Sequence, residues 1–282
     1  MGPRVAVVTD STAYLPEGAA EKYDVGVVPL HVVLGRRTGV EGSQVSPGDV
    51  ARALQERRVE VSTSRPTPAE LANAYRASGA RQVVSVHLSA SLSGTLDAAL
   101  LAARAVAPEG IEVRVVDTRT IAMGLGFAVI AASQAAAAGA SADEVEAAAR
   151  ETAAGTTLLF YVDTLEHLRK GGRIGAAAAL LGTALSVKPL LHVVAGAIAP
   201  LEKVRTTTRA LARLEELAAR AAGDGPVGVA VHHLAAAARA SELAERLRAR
   251  IPDLRALHVS EVGAVVGAHV GPGLLGVVVS RR

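Results

Sequence analysis

The sequence predicts an α/β protein built of two α/β domains with largely parallel sheets. Three observations predict it. Short β-branched runs alternate with longer Ala- and Leu-rich runs along the whole chain. Several of the short runs are continuously apolar, as strands covered on both faces are. The longer runs carry legible helix starts, and strands alternating with capped helices imply βαβ units.

The elements follow in order. Strands are expected at Val5–Val8, Val25–Val33, Val83–Val86, Val113–Val116 and Leu158–Val162, then at Pro189–Val194, Val227–Val231, Leu254–Val259 and Leu275–Val279. "SPGD" at 46–49 starts a helix with Ser46 as cap, Pro47 at the first helical position and Asp49 in the first turn. "TPAE" at 67–70 and "SADE" at 141–144 carry the capping-box pattern through Thr67 with Glu70 and Ser141 with Glu144. The pattern changes near "ETAAGTTLLF", so the boundary is set near Gly155, giving domains 1–155 and 156–282. Beyond it come a Gly-rich basic turn, "RKGGRIG", and a hairpin-like "HVVAGAIAPLEKV".

Composition excludes several functions. The chain of 282 residues has no cysteine, which removes disulfides, thiolate catalysis and cysteine zinc sites. A formal net charge of +3 with four Tyr, two Phe and no Trp gives neither a basic stripe nor stacking platforms, so no nucleic-acid partner is expected. The apolar run in "MGPRVAVVTDST" stops at Asp10, too early for a secretory signal, and a cytoplasmic location is expected. Residues 120–142 carry no charge, but they are mostly Ala and Gly. They read as a buried helix rather than a membrane span.

Ligands of parallel sheets gather where strands end and helices begin. Four hydroxyl-rich clusters fall at such places: Thr9–Thr12, Ser62–Thr67, Ser89–Thr95 and Asp117–Thr120. Each alone is ordinary cap and turn chemistry. Together they point to a polar pocket. In "HLSASLSGT" at 87–95, a helix beginning near Gly94 would aim free amides outward, and Ser93 would add a hydroxyl. That is an anion site of unspecified anion.

The usual accessories of other chemistries are missing. There is no "GxxxxGK[ST]", and "GLGFAV" holds only two of the three dinucleotide-binding glycines. "GxSxG" is absent, so a hydrolase using Ser93 and His269, with Asp10 or Asp117 to orient the imidazole, is the enzymatic alternative without its elbow. The adjacent pair His232-His233 points to opposite strand faces, and no HExxH occurs, so no metal site is expected. The basic runs 169–175 and 202–205 read either as solvated turns or as a docking surface, with Gly171-Gly172 aiming Arg173.

Taken together, "VTDST", "TSRPTP", "SASLSGT", "DTRTIAMGLG", "LRKGGRI", "KPLL", "PLEKVRT" and "HVGPG" resemble the DegV family of bacterial fatty-acid-binding proteins over essentially the whole chain. The resemblance implies two α/β domains, with the carboxylate-binding loops on the first, the second covering an acyl-chain tunnel, and the tunnel at or near their interface. It implies that Thr63, Ser93, the Gly94 amide and His269 hold a fatty-acid carboxylate. It also implies a non-catalytic role, in which a long-chain fatty acid is presented to a separate fatty acid kinase for acyl-phosphate formation. Arg173, Lys203 and Arg205 are then the kinase-docking candidates. No cofactor is expected besides the bound fatty acid, and membrane contact is expected to be transient at most. The chain departs from the family's habit at Arg65, where Gln is frequent, and at Thr118 and Ala122, where Ser is usual.

Overall fold

The computed structural model describes residues 4–56, 59–180 and 188–281. Thirteen strands are named among these residues: β1 (Val5–Asp10), β2 (Val25–Val28), β3 (His31–Leu34), β4 (Arg37–Val40), β5 (Val61–Ser64), β6 (Gln82–His87), β7 (Glu112–Asp117), β8 (Thr156–Tyr161), β9 (Lys188–Val194), β10 (Ala197–Val204), β11 (Val227–His233), β12 (Leu254–Glu261) and β13 (Leu275–Arg281). The α-helices are α1 (Ala19–Lys22), α2 (Pro47–Glu56), α3 (Pro68–Ala77), α4 (Thr95–Val106), α5 (Met123–Ala137), α6 (Ala142–Ala154), α7 (Glu166–Lys170), α8 (Thr207–Ala222), α9 (Ala237–Arg250) and α10 (Ala264–Val270).

The chain divides into two compact units, one of residues 1–31 and 64–155, the other of 32–63 and 156–282. The seam read near Gly155 coincides with the last of these boundaries, but residues 32–63 group with the C-terminal half. The single strand expected over 25–33 is two strands, broken at Pro29-Leu30. Proline has no N–H to give a ladder. β4 and β5 escape the sequence pattern because "RTGV" and "VSTS" contain no apolar run.

In the first unit the strand order is β2-β1-β6-β7, and every pairing is parallel. Ala6, Val8 and Val83 pack with Leu71, Tyr75, Ala98 and Ala102 of α3 and α4. The opposite face meets α5 and α6. The uncharged stretch at 120–142 therefore contains a buried helix, with Met123, Leu125, Ala128, Val129 and Ala132 fully enclosed. No helix among the described residues is long and apolar enough to cross a membrane. Both expected capping boxes form, Thr67 with Glu70 and Ser141 with Glu144. Ser46 also caps α2, accepting from Asp49 N at 3.1 Å.

The second unit corrects the expectation of largely parallel sheets. Its six-stranded sheet, ordered β10-β9-β8-β13-β11-β12, is mixed, and only β11 with β12 is parallel. Two connections contribute to this. β9 and β10 form the expected hairpin, turned at Ala195 (φ 52) and Gly196 (φ 86). Two positive φ values make the two-residue turn that matches strand twist. After α10 the chain then returns through "GPG" and inserts β13 antiparallel between β8 and β11. Helices α8 and α9 cover one face, through Leu214, Ala218, Leu243 and Leu247 against Leu159, Val229, Val231 and Val277. A separate three-stranded sheet runs β4-β3-β5.

Candidate functional site: strand-end donors and a threonine–histidine pair

In the first unit, β1, β6 and β7 are neighbours and parallel, so their C-terminal ends lie along one edge. Three of the four hydroxyl-rich clusters follow these ends. The fourth straddles the unit boundary, with Ser62 and Thr63 in the second unit and Ser64–Thr67 in the first. Asp10 ties two of the ends together. Its Oδ1 accepts from Thr12 N at 3.1 Å and Thr12 Oγ1 at 2.5 Å. Its Oδ2 accepts from Leu88 N at 3.1 Å and from His87 Nδ1 at 3.0 Å. The far side of the His87 ring continues the chain, with Nε2 at 2.7 Å from Ser85 Oγ and Ser85 Oγ at 2.9 Å from Tyr75 OH. All four side chains are fully buried. Burial pushes the Tyr75 phenol up to about 12. Tyr75 therefore keeps its proton, and each link of the row has a partner.

The loop after β6 is almost fully satisfied internally. Ser89 N donates to Thr120 O at 2.9 Å, Ala90 N to Asp117 Oδ1 at 3.4 Å, and Ser91 N to Ser89 Oγ at 3.2 Å. Leu92 N and Ser93 N both donate to Ser89 O, and Thr95 N donates to Ser93 Oγ at 3.3 Å. The Gly94 N–H has no partner among the described residues. Gly94 is the cap residue of α4, as the anion-site reading requires, and its carbonyl accepts from Arg65 Nη1 at 3.2 Å. Ser93 Oγ also lies 2.9 Å from Thr95 Oγ1. Ser89 shapes the loop, and Asp117 braces it through Ala90 and Arg119.

Two sequence alternatives lose support here. A side chain at Gly126 would come 2.6 Å from Met123 Sδ and overlap Ala13 O, so the glycines of "GLGFAV" serve helix packing. Asp10 is committed to His87 and to the amides of Thr12 and Leu88, and Asp117 to loop amides, so neither is free to orient His269. Among the described residues no cluster of His, Asp and Glu could hold a metal ion.

In the second unit, Thr63 Oγ1 and His269 Nε2 lie 2.8 Å apart although 206 residues separate them in sequence. His269 sits at the end of α10. Burial, reinforced by the charge of Arg173, lowers its pKa to about 4. It is neutral at physiological pH, with one N–H. Its Nδ1 is buried without a partner and packs so closely on Gly171 that a β-carbon there would overlap the ring. A bare ring nitrogen is cheaper to leave unpaired than a buried N–H. The proton is therefore assigned to Nε2, which donates to Thr63. The Thr63 hydroxyl hydrogen is left to point elsewhere, as a donor.

Arg173 reaches back to Gly171 O at 2.7 Å, with Gly172 (φ 70) making the turn. Lys203 near the end of β10 and Arg205 just beyond it are exposed, and neither has an ion-pair partner among the described residues. Sequence reasoning missed His87, although it begins the stretch "HLSASLSGT". A histidine closing an apolar strand was the available signal.

The fold and these sites define a two-unit α/β protein whose loops offer uncharged hydrogen-bond donors, with an imidazole held neutral. The chain belongs to the DegV family, described as "Uncharacterised protein, DegV family", which matches residues 4–282. A DegV domain-containing protein of Streptomyces coelicolor is 61% identical over 285 residues, covering 100% of both chains. A solved structure described as fatty acid binding of a DegV family protein from Thermus thermophilus matches with a TM-score of 0.93 at 31% identity, covering 99% of this chain and 100% of that one. The crystal structure of DegV, a fatty acid binding protein from Bacillus subtilis, matches with a TM-score of 0.91 at 32% identity, covering 100% of both.

Proposed function

We propose that this protein binds a long-chain fatty acid without chemically changing it, and presents the carboxylate to a separate fatty acid kinase for acyl-phosphate formation. The observation that carries the reading is full-length correspondence with the Thermus and Bacillus proteins, both described as fatty-acid-binding. The donors on this chain suit a carboxylate. They are the Thr63 hydroxyl oriented by His269, the Ser93 hydroxyl and the Gly94 amide, which has no partner among the described residues. An ionised carboxylate only accepts, so donors of this kind suit it. The acyl chain supplies the affinity, at roughly 0.8 kcal/mol per buried methylene. The face of the six-stranded sheet turned away from α8 and α9 carries the buried apolar residues Leu158, Phe160, Leu191, Ala230 and Val278, the surroundings an acyl chain needs.

Lipid extracted from freshly purified protein should contain long-chain fatty acid near one per chain by mass spectrometry. Absence of any acyl species, with no uptake of added palmitate or oleate, would refute the reading. Thr63→Val keeps the shape and deletes the donor. It should weaken palmitate binding roughly tenfold or more, the worth of one charge-assisted hydrogen bond. An unchanged titration curve for this variant would remove Thr63 from the carboxylate site.

Lys203, Arg205 and Arg173 are proposed to meet the kinase. Lys203→Ala and Arg205→Ala should lower acyl-phosphate formation in the presence of a fatty acid kinase and leave the palmitate Kd unchanged. The hydrolase alternative gains nothing from the local geometry, since His269 Nε2 is engaged by Thr63 and acts there as a donor rather than a base. Measurable ester turnover abolished by Ser93→Ala would revive it.

A further inference from the structure

We propose that Glu41 is a positioning residue for the Thr63–His269 pair, acting by capping the helix that carries the imidazole. The inference rests on the fatty-acid reading only for the use made of that pair. Glu41 is 8% exposed and follows β4, inside the 32–63 excursion that groups with the second unit. Its Oε1 accepts from Val265 N at 2.8 Å, although 224 residues separate them in sequence. Val265 is the second residue of α10, whose cap residue Gly263 makes no side-chain cap bond. The first amides of a helix lack partners within it. Here a carboxylate from a distant strand end fills the vacancy, with the favourable charge for a helix N-terminus.

The same excursion therefore holds α10 at both ends. Glu41 grips its start at Val265, and Thr63 grips its end at His269. The two points are four residues apart, about 6 Å along the axis, or one turn. Between them, the excursion's helix α2 packs alongside, where a side chain at Gly267 would come within 3.7 Å of Val50 Cγ1. A helix of seven residues has too few internal hydrogen bonds to fix its own position. Its setting against the Thr63 strand depends on these outside contacts. Removing Glu41 leaves the Val265 amide unpaired and releases the helix start, so the imidazole at the far end can shift or tilt away from Thr63.

The test uses the full chain, stripped of lipid. The His269 ring 15N and Nε2–H signals, assigned by their loss in His269→Gln, report the tautomer and the bond to Thr63. Palmitate titration reports the site. In Glu41→Ala, measured well below its unfolding midpoint, the His269 signals should move toward a tautomer mixture, and the palmitate Kd should rise about tenfold, as for a lost buried hydrogen bond. Glu41→Gln keeps a carbonyl acceptor and should restore the His269 signals. Val265→Pro removes the same bond from the donor side at a helical turn that tolerates proline, and should move the same signals. A Glu41→Ala protein that is less stable but has unchanged His269 signals would overturn the proposal, and so would a Glu41→Gln protein indistinguishable from it. Failure of the wild type to bind palmitate would instead overturn the fatty-acid reading, while the imidazole signals still decide the role of Glu41.

Discussion

Replacing Asp10 with alanine should destabilise the protein by about 4 kcal/mol, the cost of leaving several buried donors without an acceptor. Four donors point at this one carboxylate: Thr12 N, Thr12 Oγ1, His87 Nδ1 and Leu88 N. Asp10 and His87 are both fully buried, so water cannot replace the lost acceptor without opening the core. Asp10→Asn keeps one carbonyl oxygen but turns an amide group toward a donor, and should cost roughly half as much. Urea unfolding gives the comparison directly, because a native-like midpoint for Asp10→Ala would refute the assignment. A second consequence should appear in binding. Leu88 opens the loop that carries Ser93 and Gly94, so any Asp10→Ala protein that folds should hold palmitate less tightly than its residual stability alone explains.

Stability should also fall between pH 7 and pH 5, before most carboxylates titrate. The sign follows from two buried histidines. His269 and His232 are each lowered from 6.5 to about 4, chiefly by burial. The unfolded chain takes up a proton at each as pH drops through 6.5, whereas the folded chain does so only near 4. The unfolded state binds more protons across this window, so acid favours it. Each histidine contributes a loss of roughly 2 kcal/mol between pH 7 and pH 5, an order-of-magnitude figure. Burial lowers His192, His233 and His258 as well, which adds in the same direction. Urea midpoints of lipid-free protein across this range should therefore drop steeply, and His269→Gln should flatten the profile. A flat wild-type profile would contradict the neutral assignment on which the Thr63 donor depends.

Much of the architecture was readable in one dimension. Apolar runs marked nine strand regions, and paired Thr67–Glu70 and Ser141–Glu144 fixed two helix starts, because these signals are local: periodicity, side-chain caps and proline placement act within a few residues. The hairpin at Ala195-Gly196 was legible for the same reason. The motif resemblance located the family and singled out Gly94, whose amide has no partner among the described residues.

The sequence alone determined the α/β character, the family motifs and the absence of thiol chemistry. Tertiary structure decided three further things. It made the second sheet mixed, because β13 returns against β8 and β11 from far along the chain. It moved residues 32–63 out of the N-terminal domain that the single boundary near 155 had assigned them to. It also joined Thr63 to His269, Glu41 to Val265, and Asp10 to His87. Each of these joins residues distant in sequence. Local propensity carries no information about which distant donor will meet which acceptor. That is settled when the chain buries its apolar faces and every polar group enclosed with them must find a partner.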